Sequence, residues 1–251
     1  PTRLPVQQRN GQLRIADTAA YQRGDVNGDG TVVHMLGRSG SDVRTVLRIA
    51  ADRQVSPTEQ QAAAGDINGD GIINAADASL IAYYATNHAW PPVQPPARTV
   101  QNEDPARSAV QVAPVVATEV SDQVQEVAIR ITNGTGVVGG DIIVRYGEGL
   151  SYESGWLNND LDRRVYQLVT AQETPAQVRF SIAGTRPITS RTDILNLRFW
   201  KDPSASSETA WVEVVGAHLH DANGRDLATS VIAQDVRGER LAFGAVPGEV
   251  V

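Results

Sequence analysis

The chain has 251 residues, of which 41% are hydrophobic, so it is long enough for one or two domains with buried cores. Its net charge of −7 provides no basic surface for nucleic acid or an anionic membrane, and the lack of cysteine excludes disulfides and thiolate metal sites. No apolar run approaches the ~18 residues of a membrane span, and Pro1 is not followed by a signal-like stretch. We therefore expect a mature or excised segment.

Hydrophobic spacing divides the chain into two unlike regions. Between residues 23 and 86 the spacing is helical, whereas from about residue 109 it alternates as in strands. The segment 88–107 between them contains five of the thirteen prolines, which predicts a stiff extended spacer or an ordered strap along one domain. The predicted segments are a leader over 1–22, a small all-α module over 23–87, a Pro-rich linker over 88–108, an all-β sandwich over 109–238 and a tail over 239–251.

The helical module begins with an incomplete calcium-binding loop, RGDVNGDGTVV. Asp25, Asn27 and Asp29 stand at alternate positions, and the carbonyl of Thr31 follows at position seven. Calcium-binding loops supply their oxygen ligands in this pattern and close with a carboxylate at position twelve. The twelfth residue here is Leu36, so the closing ligand is missing from its expected place.

A second loop, GDINGDGIINAADASL, is complete. Suitable oxygens occupy all six ligand positions, and the helical pattern ADASLIAYYAT follows directly. The alternative is a turn rich in Asp and Asn that binds no metal. The match at all six ligand positions makes this alternative less favourable. The expected ligands are the side chains of Asp66, Asn68, Asp70, Asn74 (through water) and Asp77, with the carbonyl of Ile72.

Comparison of the two loops points to Asp42 as the missing ligand. Asp42 follows Asp25 by 17 residues, six more than the 11 that separate Asp66 from Asp77. An insertion near residues 33–38 accounts for the difference, and the helical pattern VRTVLRIAAD resumes directly after Asp42. We favour a stretched loop closed by Asp42 over a vestigial site with three ligands. Ser39 is then a candidate for the water-bridged ninth position, and Ser41 or Asp42 is expected to cap the helix as Asp77 caps the second one.

The duplicated motifs GDVNGDG and GDINGDG, each followed by one helix, resemble the type I dockerin module of cellulosome-type assembly proteins. The resemblance covers residues 22–86 and implies two bound calcium ions, an Asp as closing ligand and a cohesin as partner. Residues beside that Asp often discriminate between partners in the family. The six-residue insertion and the Ala75-Ala76 pair, in place of a hydroxyl pair, depart from the family, so partner specificity is not carried over. The implied partner-binding residues are Gly40, Ser41, Leu47, Arg48, Ala75, Ala76, Ala82 and Tyr83.

The C-terminal region alternates in short hydrophobic runs bounded by turn residues, which predicts a two-sheet sandwich. Asn223-Gly224 predicts a hairpin turn before TSVIAQDV. The stretches VGGDIIVRYGEGLSYES, ILNLRFWKD and HLHDANGRDL resemble a cohesin over residues 109–236, and the same jelly-roll family includes carbohydrate-binding modules. The runs are AVQVAPVVAT, VQEVAIRIT, GGDIIVRY, RRVYQLVTA, AQVRFSIAG, DILNLRFW and AWVEVVGAHLH.

Three possible functions remain after these observations. The leading hypothesis is a noncatalytic assembly protein whose dockerin binds a cohesin and whose cohesin-like domain binds a dockerin. Its own two modules are among the candidate partners. We expect it to be secreted or at the cell surface, in polysaccharide-degrading complexes. The alternative is a carbohydrate-binding sandwich tethered through a dockerin, with Trp156, Trp200 and Trp211 and the tyrosines as a sugar-stacking strip. A third possibility is a fragment of an enzyme whose catalytic part lies outside this sequence.

Catalysis by this chain is not predicted. The acids Asp160, Asp162 and Asp193 would have to converge in a deep cleft for glycoside hydrolysis, which a small sandwich does not favour. His218 and His220 alternate on one strand face, but no third ligand for zinc is evident.

Overall fold

The computed structural model describes residues 6–9, 12–15, 21–33, 41–52, 55–91, 109–121, 123–189, 191–206, 208–232 and 236–237. Strands β1 (Val6–Arg9) and β2 (Gln12–Ile15) pair antiparallel within the segment predicted as a leader, where no strand was anticipated. Most of the Pro-rich linker, from 92 to 108, lies outside the described residues, and so does the tail from 239. The two predictions for the linker, a stiff spacer or an ordered strap, therefore stay open. None of the described helices has the length and hydropathy needed to span a bilayer.

Helix α1 (Asp42–Ala51) follows the first loop. The side chain of Ser41 accepts a hydrogen bond from the Arg44 N–H at 3.3 Å, which satisfies one of the free donors at the helix start. Of the two predicted candidates for the helix cap, Ser41 and Asp42, it is therefore Ser41 that caps the helix. The spacing of Val43, Val46 and Leu47 puts all three on one buried face.

Two further helices enclose the second loop. The short helix α2 (Glu59–Gly65), which the apolar spacing did not single out, begins at a Thr58–Gln61 capping box. The sequence expectation of one helix per loop is therefore incomplete for the second loop. Helix α3 (Ala75–Asn87) has Asn74 as its cap, and Asp77 bonds back to the Asn74 N–H from the third helical position. The prediction that Asp77 itself is the cap is wrong, because position one of the helix comes two residues earlier.

The C-terminal region forms two five-stranded sheets packed face to face. Alternation produces this arrangement: β4, for example, buries every second side chain, including Val127, Ile129 and Ile131. One sheet has the order β12-β10-β5-β8-β7 and the other the order β11-β3-β4-β9-β6. The strands are β3 (Val110–Ser121), β4 (Val124–Thr132), β5 (Gly139–Tyr146), β6 (Leu150–Leu157), β7 (Tyr166–Thr174), β8 (Gln177–Gly184), β9 (Arg191–Lys201), β10 (Trp211–His220), β11 (Thr229–Val231) and β12 (Val236–Arg237).

The strand after the Asn223-Gly224 turn differs from the hairpin prediction. The turn is present, and Leu227 returns a backbone hydrogen bond to Leu219 at 2.8 Å. Strand β11 then leaves β10 and pairs parallel with β3 in the opposite sheet, before β12 pairs antiparallel with β10. The chain therefore crosses between the two sheets at this end, which joins their edges.

The helical module packs on the outer face of the β10-β5-β8-β7 sheet, which we call the covered face. Helix α1 lies against β7 and β8, and α3 lies against β8 and β5. Since Ile142 and Ile182 point into the sandwich core, their neighbours Asp141, Ser181 and Ala183 point towards the helices. Ala183 is fully buried in the hydrophobic cluster of the helical module.

Candidate functional site

Asp77 closes the second loop from within helix α3. One of its carboxylate oxygens accepts the N–H groups of Ile67 and Asn68 at 2.7 and 3.1 Å, and the other accepts the N–H of Asn74 at 3.0 Å. Burial raises the pKa of Asp77 to about 6, and the negative charge of Asp66 acts in the same direction. The carboxylate therefore joins positions two, three and nine of the loop to the first turn of α3.

Asp42 makes the same three contacts in the first loop. One oxygen accepts the N–H groups of Val26 and Asn27 at 2.8 and 3.0 Å, and the other accepts the N–H of Val33 at 2.9 Å. Val33 stands nine positions into its loop, as Asn74 does in the second. Burial raises the pKa of Asp42, and the charge of Asp25 adds to the effect. The later carboxylate thus occupies the place that Asp77 has in the complete loop.

The backbones of the two loops are also alike. Gly28 and Gly69 both have φ of 76°, and Gly30 and Gly71 both have φ of 86°. A side chain is rarely tolerated at these angles, which explains glycine at the sixth position of each loop. The extra residues of the first loop are therefore confined to 34–41, after nine positions of regular geometry.

This position of the insertion refines the sequence prediction, which placed it near 33–38. Two residues separate Asn74 from Asp77, whereas eight separate Val33 from Asp42. Leu36, Ser39 and Gly40 lie outside the described residues, so the water-bridging role of Ser39 stays a prediction.

The remaining predicted ligands lie on the exposed side of each loop. Asp29 and Asp70 are exposed, and each bonds to the Asn two residues before it, at 2.9 and 2.7 Å. A hydrogen bond from the Thr31 hydroxyl holds the pKa of Asp29 below its ordinary value, so this carboxylate is ionised near neutral pH. Thr31, Asn68 and Ile72 are also exposed, whereas Asn27 is half-buried.

This donor set fits a hard divalent cation. Each loop brings two carboxylates into electrostatic contact, Asp25 with Asp42 and Asp66 with Asp77, and adds amide and carbonyl oxygens. Calcium prefers such oxygen ligands, and its charge would offset the repulsion within each pair. In the described part of the chain no three His, Cys, Asp or Glu side chains converge on one point, so a zinc site at His218 and His220 gains no third ligand.

The predicted partner-binding residues have different environments. Ser41 is buried as a helix cap, and Leu47, Ala75 and Ala82 are buried in the hydrophobic cluster of the helical module. Ala76 is buried beside the turn that contains Gly224. Arg48 is exposed and Tyr83 is half-buried. Their role in partner binding stays a prediction.

Sequence reasoning missed the residues that join α3 to the sandwich. The Nε2 atom of His220 lies 2.9 Å from the hydroxyl of Ser79, a buried hydrogen bond between residues 141 positions apart. Leu80 lies against the backbone of Gly224, and Val169 of β7 packs on the helical cluster with Ala183. The alternation of β10 did indicate that His218 and His220 share a face, but not what covers it.

Polar side chains also lie on the covered face. Ser181 donates a hydrogen bond to Asp141, and burial raises the pKa of this carboxyl above its ordinary value. Arg179 forms a 2.6 Å ion pair with Glu173 and is 5% exposed, yet its Nη2 atom has no hydrogen-bond partner among the described residues. The sheet therefore presents buried polar groups to the helices as well as small apolar ones.

The aromatic residues do not form one strip. Tyr146 and Tyr166 are buried in the sandwich core, and Tyr152 packs against it. Trp211 lies on β10 in one sheet, whereas Trp156 and Trp200 lie on β6 and β9 in the other. A planar sugar-stacking row of all three tryptophans is therefore not formed.

The three acids considered for hydrolysis are also divided. Asp160 and Asp162 line a shallow cavity at one end of the sandwich. Asp193 forms a bidentate ion pair with Arg130 on a strand face, with distances of 2.5 and 2.9 Å. The three acids therefore do not converge at one place, because Asp193 is not among the residues that line this cavity.

An aromatic contact joins the two ends of the helical module. Trp90 stacks on Tyr84 with ring centroids 4.4 Å apart, and the Arg23 guanidinium lies 4.5 Å from the Trp90 ring. We expect Trp90→Ala to lower the free energy of unfolding of this module by about 2 kcal/mol, because both contacts are lost. Chemical denaturation followed by circular dichroism measures the effect. Trp200→Ala, at a half-exposed tryptophan of the sandwich, is the control, and equal stability of the two variants would contradict the assignment.

Comparison with known proteins agrees with this geometry. Residues 23–85 match the family model for the dockerin type I domain. The sandwich is similar to the sixth cohesin of scaffoldin B from Acetivibrio cellulolyticus, solved with a Cel5 dockerin mutant: identity is 18%, 52% of this chain and 98% of that chain are covered, and the TM-score is 0.44. No curated protein matches the chain.

Two further solved structures show similar coverage. The cohesin module of a family 33 glycoside hydrolase from Clostridium perfringens is 18% identical, covers 52% of this chain and 96% of its own, and has a TM-score of 0.41. A type I cohesin–dockerin complex with OlpA from Clostridium thermocellum is 8% identical, with coverage of 51% and 98% and a TM-score of 0.44. The prediction of a dockerin module followed by a two-sheet β-sandwich is confirmed.

Proposed function

We propose that this chain is a noncatalytic, calcium-dependent assembly protein whose dockerin binds a cohesin-type sheet and whose sandwich receives a dockerin. The observation that carries the proposal is the packing of α1 and α3 on the covered face. Small residues such as Ala76 and Ala183 are buried there and allow close approach of helix and sheet.

Calcium would act through the helices. Asp42 and Asp77 belong both to a loop and to the first turn of a helix that contacts the sandwich. A bound cation would neutralise the acidic ligands and hold the loop, so the free energy of binding would appear as folding free energy of the helical module. The proposed ligands are those expected from the sequence, with one ion in each loop.

The biological setting is also part of the proposal, and the comparisons support it. The complexes from A. cellulolyticus and C. thermocellum pair a cohesin with a dockerin. We infer partners of these two kinds for the present chain, its own modules included, in secreted or cell-surface complexes that degrade polysaccharides.

Cutting the linker tests the proposal on a chain that has already folded. A protease recognition sequence is inserted between residues 95 and 96, and the purified chain is cleaved. The two halves are expected to stay together in calcium and to separate in excess chelator, as seen by size-exclusion chromatography. Circular dichroism should show a parallel loss of helix when calcium is removed.

Magnesium in place of calcium is the control, because its smaller octahedral site does not suit these loops. Halves that separate in calcium would contradict the assembly function. Halves that stay together in chelator would contradict its calcium dependence.

A further inference from the structure

We propose that the sandwich selects its own dockerin, in the same chain or in a second copy, through the hydrogen bond between His220 and Ser79. This inference rests on the proposed function and identifies the partner. The two residues lie on different modules, and each is buried: His220 is 2% exposed and Ser79 is 4% exposed.

The position of His220 explains why it faces the dockerin. Leu219 points into the sandwich core, so the next residue of β10 points to the covered face. His220 stands opposite Gly139 of β5, which carries no side chain to shield it. Helix α3 therefore supplies the Ser79 hydroxyl to a ring that would otherwise meet water.

The chemistry of the pair gives it selectivity. An imidazole enclosed by protein loses its hydrogen bonds to water and needs a partner in return. A dockerin with an apolar residue at the position of Ser79 would leave the ring unpaired, and a buried unpaired group weakens binding by roughly tenfold to a hundredfold. A site built around a hydrogen bond rejects partners without the group more strongly than an apolar site rejects a change of size.

Shape adds to this selectivity at the neighbouring turn. A Cβ atom on Gly224 would lie 2.9 Å from the Cδ1 of Leu80 and 3.7 Å from the Cβ of Ala76. Gly224 also has φ of 71°, so a side chain there would be strained. The turn therefore has room for Leu80 only because residue 224 has no side chain. The His220–Ser79 hydrogen bond and this contact involve neighbouring residues of α3, so both recognise the same part of the helix.

Connection in one chain strengthens the preference. A linker that permits the intramolecular contact gives the tethered module an effective concentration of about millimolar, which favours closure over capture of a dilute competitor. Exchange between copies uses the same contacts and becomes significant only at comparable protein concentrations.

The linker-cut chain provides the test. In saturating calcium, the dissociation constant of the two halves is measured by dilution with a fluorescent label. Ser79→Ala is expected to raise this constant by roughly tenfold to a hundredfold. Alanine favours the helix, so misfolding of α3 is not expected. Ser56→Ala, at an exposed serine of the same module, is the matched control and should leave the constant unchanged.

A compensating variant separates the specific pair from general damage. Ser79→Ala with His220→Leu replaces both partners by apolar groups and is expected to recover most of the lost affinity. Ser79→Ala within threefold of the unmodified protein, or a double variant as weak as the sum of the single changes, would overturn the inference. If the unmodified halves do not associate in calcium, the proposed function fails instead.

Discussion

Asp42→Ala is expected to remove one of two bound calcium ions, with a loss of affinity in the first loop of at least about a hundredfold. Its carboxylate accepts three backbone N–H groups and faces Asp25, as Asp77 does in the second loop with Asp66. The substitution therefore removes both a proposed calcium ligand and the hydrogen bonds that join the loop to helix α1. Isothermal titration of calcium should give a stoichiometry of two for the unmodified chain and one for the variant.

Asp77→Ala is the companion experiment and should have an effect of the same size. Glu59→Ala, at an exposed acidic residue in the first turn of α2, controls for the loss of a helix-terminal charge and should keep two ions. An unmodified chain that binds one ion, unchanged by Asp42→Ala, would show that the first loop is vestigial.

Acidification is expected to weaken the association of the two modules by about tenfold for each pH unit below about 6.5. Burial lowers the pKa of His220 from 6.5 to about 3, because the enclosed ring is costly to charge. Between about pH 3 and 6.5, the docked state therefore binds fewer protons than the separated state. Its stability is fully present above about pH 6.5 and falls as the pH drops through this window.

Other charged groups near His220 act on the same measurement. Asp221 raises the pKa of His220, although less than burial lowers it. Burial raises the pKa of Asp141 on β5, so protonation of that carboxyl favours docking and opposes the histidine. Other charged residues of the packed elements include Asp77 on α3, Arg179 on β8, Glu173 on β7 and Glu213 and His218 on β10, and Asp226 faces His220 across an isolated bridge. Arg145 lies on β5, and Asp42, Arg44 and Arg48 lie on α1.

Two glutamine variants isolate the contribution of His220. His220→Gln keeps hydrogen-bonding groups near Ser79 but does not titrate, so its dissociation constant should change less between pH 7.5 and 5 than that of the unmodified protein. His218→Gln, at an exposed histidine of the same strand, should retain the full pH dependence. Saturating calcium keeps the loop carboxylates ionised. Identical pH profiles for the unmodified and His220→Gln proteins would contradict the assignment.

Local patterns were sufficient to predict the loops and most strands. The spacing of Asp, Asn and Gly in each loop has few other physical explanations, and the duplication allowed a residue as distant as Asp42 to be matched with Asp77. Helix α2 was missed because its two turns carry mostly Ala and Gln and show no apolar face. Strand β6 was not separated from its neighbour, since LSYESGWL alternates poorly around a register shift near Glu153.

The sequence by itself determined the two modules, their order and the matching of the two loops, because residue spacing and alternation are local properties of the chain. Only the tertiary structure decided that the hydroxyl of Ser79 meets the ring of His220 and that Leu80 lies on Gly224. These contacts join residues more than 140 positions apart across a Pro-rich segment. Neither periodicity nor composition encodes such a pairing, since it depends on the complementary shapes of two folded surfaces.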